Sequence, residues 1–460
     1  MDSNLKSRLK RIRDTGSQVP GKEQQKTCII RDGGADLSSW PLWKEAGYKV
    51  LKRVIKLEPP FTVPDIFPRA LAVLVPDLLT PGRLPSPEEL IFFDLETTGL
   101  SGGAGTLAFL AAFGRFSAAR SSEASVNNSS LYGSSGSFQR NLEITQYLLL
   151  DFPGEGEFIE QAAAEFCVKK GNNDARHDKR GTVNGNTGKG EAIDEKADDG
   201  ALPWVLSFNG KCFDSQILRN RCLMNGLKAP LYFHADLLHP ARRLWKRLLP
   251  DCSQSTIETS ILGLSREGDI SGALAPDIWF SFLRDGENSN LLKICNHNVL
   301  DIAGLAALFL AMGDIVMDPY MGQEKIRFDE EELAVIWMRA LKKAPMFFGD
   351  SEKETGECLL QRAAKKGYPR ASFFLALDLI KSGRNKEGTS LLIKLAECDS
   401  GLSASLRAAA LKSLAIDAEW RLKDFSLALE YVLSALEIPE IKGSARYDME
   451  MRQKRLNGKL

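Results

Sequence analysis

No surplus of charge marks this chain, since 60 basic side chains balance 60 acidic ones. Composition therefore does not announce a nucleic-acid binder, and any grip on a phosphate backbone has to come from local clusters of Lys and Arg. The eight cysteines stand singly, with no C-x-x-C pair. That excludes a disulfide framework or a zinc knuckle and fits a reducing cytoplasm. No apolar signal core follows the basic segment MDSNLKSRLKRIRD. The longest apolar stretches, near Leu107–Phe113 and Ile302–Met312, are too short to span a bilayer. The expectation is a cytoplasmic protein, neither exported by a standard signal nor embedded in a membrane.

What is present is ordinary globular material: 43% apolar and 26% charged over 460 residues, enough for a sizeable core and two or three domains. Residues 1–85 read as a leader. Leu5, Leu9 and Ile12 share a helical face opposite cations, which suits a docking helix better than a DNA-contacting arm. Tyr48–Leu57 reads as a strand, and the Pro-rich stretch from there to Pro87 as loop.

Residues 86–316 read as one α/β unit. Strands are expected at Leu90–Phe93, Thr106–Phe116, Leu142–Leu150, Trp204–Phe208 and Leu231–Leu237, with helices at Glu157–Lys169, Asp214–Met224 and Leu291–Met312. Small residues at Ala303, Gly304, Ala306 and Ala307 suggest close packing. Two segments, 117–140 and 170–200, hold too few large apolar groups to offset ordering entropy and read as disordered insertions. His177 falls in the second and is set aside. Residues 320–460 turn Ala/Leu/Lys/Glu-rich. Helices at Glu357–Lys366, Ala371–Ser382, Lys386–Glu397, Ser403–Arg421 and Ser426–Leu436 suggest a tetratricopeptide-like array or a plain bundle.

The chemistry-bearing residues are acids at strand and helix ends. Asp94 and Glu96, in FFDLETTGLSGGAG, are two apart on a strand and so point to one face, where a pair of carboxylates can hold a hard divalent cation. The turn after them offers Thr97, Thr98, Gly99 and Leu100, whose hydroxyls and amides could meet a terminal nucleotide. Asp214, in SFNGKCFD, sits at a helix start and reads equally as a cap. Asn209 and Lys211 lie on the approach to it. His297 and Asp301 are four apart in HNVLD, hence on one helix face within about 6 Å. Such a His can take a proton from an attacking water. Between these motifs runs DLLHPARRLWKR, where Arg242 and Arg243 could track a substrate backbone while Trp245 goes to the core rather than stacking on a base. Four such carboxylates can chelate two Mg²⁺ or Mn²⁺ ions roughly 4 Å apart, and would repel one another without them.

The order FFDLETTGL, SFNGKCFD, HNVLD resembles the DEDD exonuclease superfamily. With DLLHPARRLWKRLLPDC and SILGLSREGDISG between the motifs, it is similar to the bacterial YprB ribonuclease-H-like family, over about residues 86–312. The resemblance implies a ribonuclease-H-like mixed sheet flanked by helices, with an all-α, tetratricopeptide-like tail. It also implies a two-metal site at Asp94, Glu96, Asp214 and Asp301, and 3′–5′ exonuclease chemistry with His297 in the place of the general base. One branch of the superfamily has a Tyr four residues before the last Asp, and another a His five before. This chain has a His four before, which leaves the role of His297 open. The leading reading is a divalent-metal-dependent nuclease acting on DNA or RNA. Its rivals are a non-catalytic nucleic-acid-binding protein of the same fold and an adaptor that recruits a protein partner through residues 320–460.

Overall fold

The computed structural model describes residues 40, 42–64, 69–79, 83–99, 105–118, 137–167, 202–266, 268–286, 288–319, 326–398 and 402–460. The expected leader helix, Leu100, His177 and most of both expected insertions lie outside them. Two compact units emerge among the described residues. One holds the chain up to Leu71 together with Leu78–Arg327, and the other joins Ala72–Asp77 to Phe328–Leu460.

The first unit is built on a seven-stranded mixed sheet: β1 (Lys44–Gly47), β2 (Val50–Pro64), β3 (Leu90–Thr97), β4 (Ala108–Ala118), β5 (Ser137–Leu149), β6 (Trp204–Ser207) and β7 (Phe233–Asp236), in the order β1-β2-β5-β4-β3-β6-β7. The pairs from β1 through β5 and β4 to β3 are antiparallel, and β3-β6 and β6-β7 are parallel. Leu90–Phe93 is buried on both faces, as a central strand between helical layers must be.

Most boundaries shift by a few residues from expectation, and two of the shifts have a clear physical reason. β2 does not stop at Leu57. Its register shifts before Phe61 and pairing with β5 resumes as far as Pro64. Pro59 and Pro60 lack the N–H that a ladder needs, so the strand passes them in a bulge rather than ending. Beyond it α1 (Arg69–Leu74) breaks the expected loop. Likewise, both ends of the expected 117–140 insertion are strand, with Ser117 opposite Asn141 and Ala118 opposite Arg140.

Helices cover the sheet: α2 (Glu155–Ala164), α3 (Asp214–Met224), α4 (Leu238–Trp245), α5 (Gln254–Ile257), α6 (Ala275–Asp285) and α7 (Ser289–Met317). α7 is long and apolar enough to cross a membrane, but 83% of its most apolar stretch is buried inside the fold. It is the core helix. A side chain at Gly114 would strike Ile302, and one at Gly304 would strike Glu258. The helix therefore approaches both neighbours at distances only glycine permits. Trp245 is fully buried and donates its indole N–H to the Arg327 carbonyl at 2.8 Å, the core position expected of it.

The second unit is all helical: α8 (Glu330–Lys343), α9 (Asp350–Lys365), α10 (Pro369–Lys381), α11 (Asn385–Ala396), α12 (Ala404–Asp417), α13 (Phe425–Leu436) and α14 (Gly443–Asn457). Each packs on the next in sequence. Small and aliphatic residues such as Ala376, Leu392, Leu411, Val432 and Ala435 fill its core. Buried Glu419 is met by Arg452, Arg455 and Lys459 at 2.6–2.8 Å, so the last helix is pinned by an ion network as well as by Met449 and Leu456.

Candidate active site

The end of β3 delivers Asp94 and Glu96 side by side on one face, at the point where the register against β4 shifts. α3 begins at Asp214, with Phe213 in the cap position, so Asp214 is the first helical residue and not the helix cap. α7 supplies His297, Asn298 and Asp301. The His297 Nε2 and Asp301 Oδ2 are 3.2 Å apart. Ligating atoms of Glu96, His297 and Asp301 all fall within 4.8 Å of one another.

Electrostatics ties Asp94 and Asp214 to the same group. Burial pushes the Asp94 carboxyl well above the usual carboxylate range, and the charges of Asp301 and Asp214 push it further. Glu96 is raised by burial and then by Asp94, Asp301 and Asp214. Asp214 is pushed up to about 7 by burial and by Asp236. Acids crowded in this way keep protons that they would otherwise lose at neutrality. A bound cation removes that conflict.

The surrounding residues fix these acids. Asn298, fully buried, donates to Asp94 Oδ2 at 2.7 Å and accepts from Gln146 Nε2 at 2.6 Å. Gln146 in turn accepts from Arg53 Nε at 2.6 Å, so β2, β5, α7 and β3 are joined by one buried relay. Arg266 donates to Asp301 Oδ1 at 2.5 Å and grips Glu258 through Nε and a terminal nitrogen at 2.6 and 2.9 Å. Asp269 Oδ2 lies 2.8 Å from His297 Nδ1. Burial alone would lower the His297 pKa. The Asp269 hydrogen bond and the Asp301 charge outweigh it and leave the ring above its usual value.

The expected substrate contacts fall in several places. Thr97 donates its hydroxyl to the Gly99 carbonyl at 2.9 Å, and the Thr98 hydroxyl accepts from the Leu107 amide at 3.0 Å. Both hydroxyls thus shape the turn after β3. Asn209 takes a left-handed conformation with φ 64°. Its amide and that of Lys211 donate to the Asp236 carboxylate at 2.8 and 3.1 Å, which sets the loop entering α3. The Lys211 side chain and Arg242 are exposed, and Arg243 is half-buried. Arg242 lies close enough to Cys252 for its charge to bear on that thiol.

Sequence reasoning misses Asn298, Gln146, Arg53, Arg266, Asp269, Asp236 and His234. The last is held between Ser207 Oγ at 2.7 Å and Ser215 Oγ at 3.1 Å, and burial pulls it down to about 4. It is a neutral wedge under the first turn of α3.

The mixed sheet flanked by helices is a ribonuclease-H-like fold. The model of the RNase_H superfamily matches residues 188–312, the stretch that contains Asp214, His297 and Asp301. Over 353 residues the chain is 27% identical to the uncharacterized protein YprB of Bacillus subtilis strain 168, covering 75% of this chain and 69% of that one.

The donor set fits a divalent cation. Glu96 is 8% exposed, and no side-chain hydrogen bond to it is found among the described residues. Oxygen donors without protein partners are what a hard ion coordinates.

Proposed function

We propose that this protein is a divalent-metal-dependent nuclease that hydrolyses phosphodiester bonds of DNA or RNA, as a 3′–5′ exonuclease. The observation that carries this is the meeting of Asp94, Glu96, Asp214 and Asp301 with too few positive partners to neutralise them. The RNase_H superfamily match supports the same class of chemistry. Two Mg²⁺ or Mn²⁺ ions held by these acids would activate water and stabilise the leaving oxygen.

The protein's own groups do the rest. Asn298 holds Asp94 at a fixed angle. Asp236 fixes the loop that carries the exposed Lys211 into α3. In this reading Lys211, Arg242 and Arg243 meet substrate phosphates, and Thr97, Thr98 and Gly99 face the terminal nucleotide.

A non-catalytic reading has one observation in its favour. Arg266 neutralises Asp301 directly, as a side chain would in a site that has given up its metal. Against it, Arg266 is already engaged by Glu258, and Glu96 has no such partner. For the helical unit we propose a tetratricopeptide-like docking role toward a protein partner. Helices packed successively, with next-but-one contacts of α8 to α10 and α10 to α12, support it.

The test is the purified full-length chain with Mg²⁺ or Mn²⁺ and oligonucleotides labelled at either end, as DNA and as RNA. A 3′-shortening ladder that disappears in Asp94→Asn is expected. Intact oligonucleotides with both metals would refute the enzymatic reading.

A further inference from the structure

His297 has been treated as a proton acceptor because of where it stands in the chain. Its surroundings say something else. The Asp269 carboxylate faces Nδ1 at 2.8 Å, where it can accept a hydrogen bond from that nitrogen. A cation that displaces the second ring proton then finds the lone pair on Nε2, which faces Asp301 Oδ2 at 3.2 Å. Two donors to one ion at right angles are about 3 Å apart. Metal-bound histidines commonly give their other ring N–H to a carboxylate in this manner.

Glu96 supplies the independent observation. It is more than nine-tenths buried, has no hydrogen-bond partner among the described residues, and points into the same space. Gly272 keeps that space open. A Cβ there would stand 2.9 Å from His297 Nε2 and 4.0 Å from Glu96 Oε1.

We propose that His297 binds a cation directly through Nε2, together with Glu96 and Asp301, and that Asp269 is its positioning residue. The proposal rests on the nuclease reading above but changes the role of the histidine from base to ligand. It also changes the preferred ion. An imidazole donor suits first-row transition ions better than Mg²⁺, whose preference is for oxygen. The site should therefore hold Mn²⁺ in preference to Mg²⁺.

The experiment uses full-length protein, stripped with chelator and loaded with MnCl₂, and reads pulsed electron paramagnetic resonance. A ¹⁴N coupling to bound Mn²⁺ is expected. It should change to the ¹⁵N pattern when histidine is ¹⁵N-labelled, and vanish in His297→Gln while Mn²⁺ stays bound. Asp269→Ala should weaken Mn²⁺ binding roughly 10–100-fold, with Asp269→Asn restoring most of it. If His297→Gln fails to fold, His297→Asn is read in the same way, because the chain holds four histidines and the assignment needs a variant at this one. Bound Mn²⁺ without nitrogen coupling overturns the ligand role and leaves the carboxylate site standing. A coupling that persists in His297→Gln overturns it too. No Mn²⁺ binding at all overturns both this proposal and the metal-dependent nuclease.

Discussion

Asn298 donates its side-chain amide to Asp94 Oδ2 at 2.7 Å, and with this one bond α7 is aligned with the end of β3. The same side chain accepts from Gln146. Removing it leaves the half-buried Asp94 Oδ2 and one N–H of buried Gln146 without their partner, so Asn298→Ala should cost about 1–3 kcal/mol of stability. Asn298→Asp should cost more in the metal-free protein, because it adds a further carboxylate to an already crowded cluster. Chemical denaturation with and without Mn²⁺ checks both, and an Asn298→Ala protein as stable as the parent contradicts the account.

The raised acids make a pH prediction. The folded forms of Asp94, Glu96 and Asp214 hold protons that the unfolded chain gives up at its ordinary carboxylate values. Their contribution to stability is therefore full below the usual carboxylate pKa of 3.8 and is lost as pH rises toward the Asp214 value of about 7. His297, also raised, acts with the same sign. Metal-free protein should lose thermal stability across that window, and saturating Mn²⁺ should restore it. A Tm that climbs steadily from pH 4 to 7.5 without metal would be the opposite outcome.

Arg266 joins two buried acids, Glu258 and Asp301. Arg266→Ala frees Asp301 but leaves Glu258, 2% exposed, without its cation. Breaking a buried pair from one side typically costs 3–5 kcal/mol. A loss of this order in urea unfolding is expected, with partial rescue in Glu258→Gln/Arg266→Met. No change in the midpoint would show that the ion pair is not formed.

Trp245 and Arg242 share α4 but should behave as opposites. Trp245→Ala should cost about 3–5 kcal/mol, because a fully buried ring leaves a cavity. Arg242→Ala should leave stability within about 0.5 kcal/mol and instead reduce the salt dependence of oligonucleotide binding by about one phosphate contact. Salt-titrated fluorescence anisotropy separates the two. An unchanged slope would take Arg242 out of the substrate path.

Three of the acids proposed to form the site are marked in the chain by a periodic signal: Asp94 and Glu96 end an apolar strand, and Asp301 sits one helical turn from His297. Asn298 is not readable. It follows His297 by one residue and so points about 100° away on the helix, with nothing local to mark it as a partner for Asp94. Asp269 lies in an irregular loop without periodicity. Gln146 and Arg53 meet α7 from strands 149 and 243 residues distant in sequence, a relationship only the tertiary fold creates.

At the level of the fold, Asp214–Met224 is read with its true ends, while β2 is cut short because proline is taken to end a strand. Gly443–Asn457 escapes notice for another reason. It is polar nearly all round, burying Met449 and Leu456 alone, so it shows no apolar stripe.

The central claim is that four carboxylates from three distant segments of the chain form one cation pocket. Calorimetric titration of the metal-free, full-length protein with MnCl₂ at pH 6.5 tests it most directly. The account predicts saturable binding of two ions with release of protons to the buffer, and loss of that binding in Asp94→Asn and in Asp214→Asn. A flat titration, or binding untouched by either substitution, would contradict it.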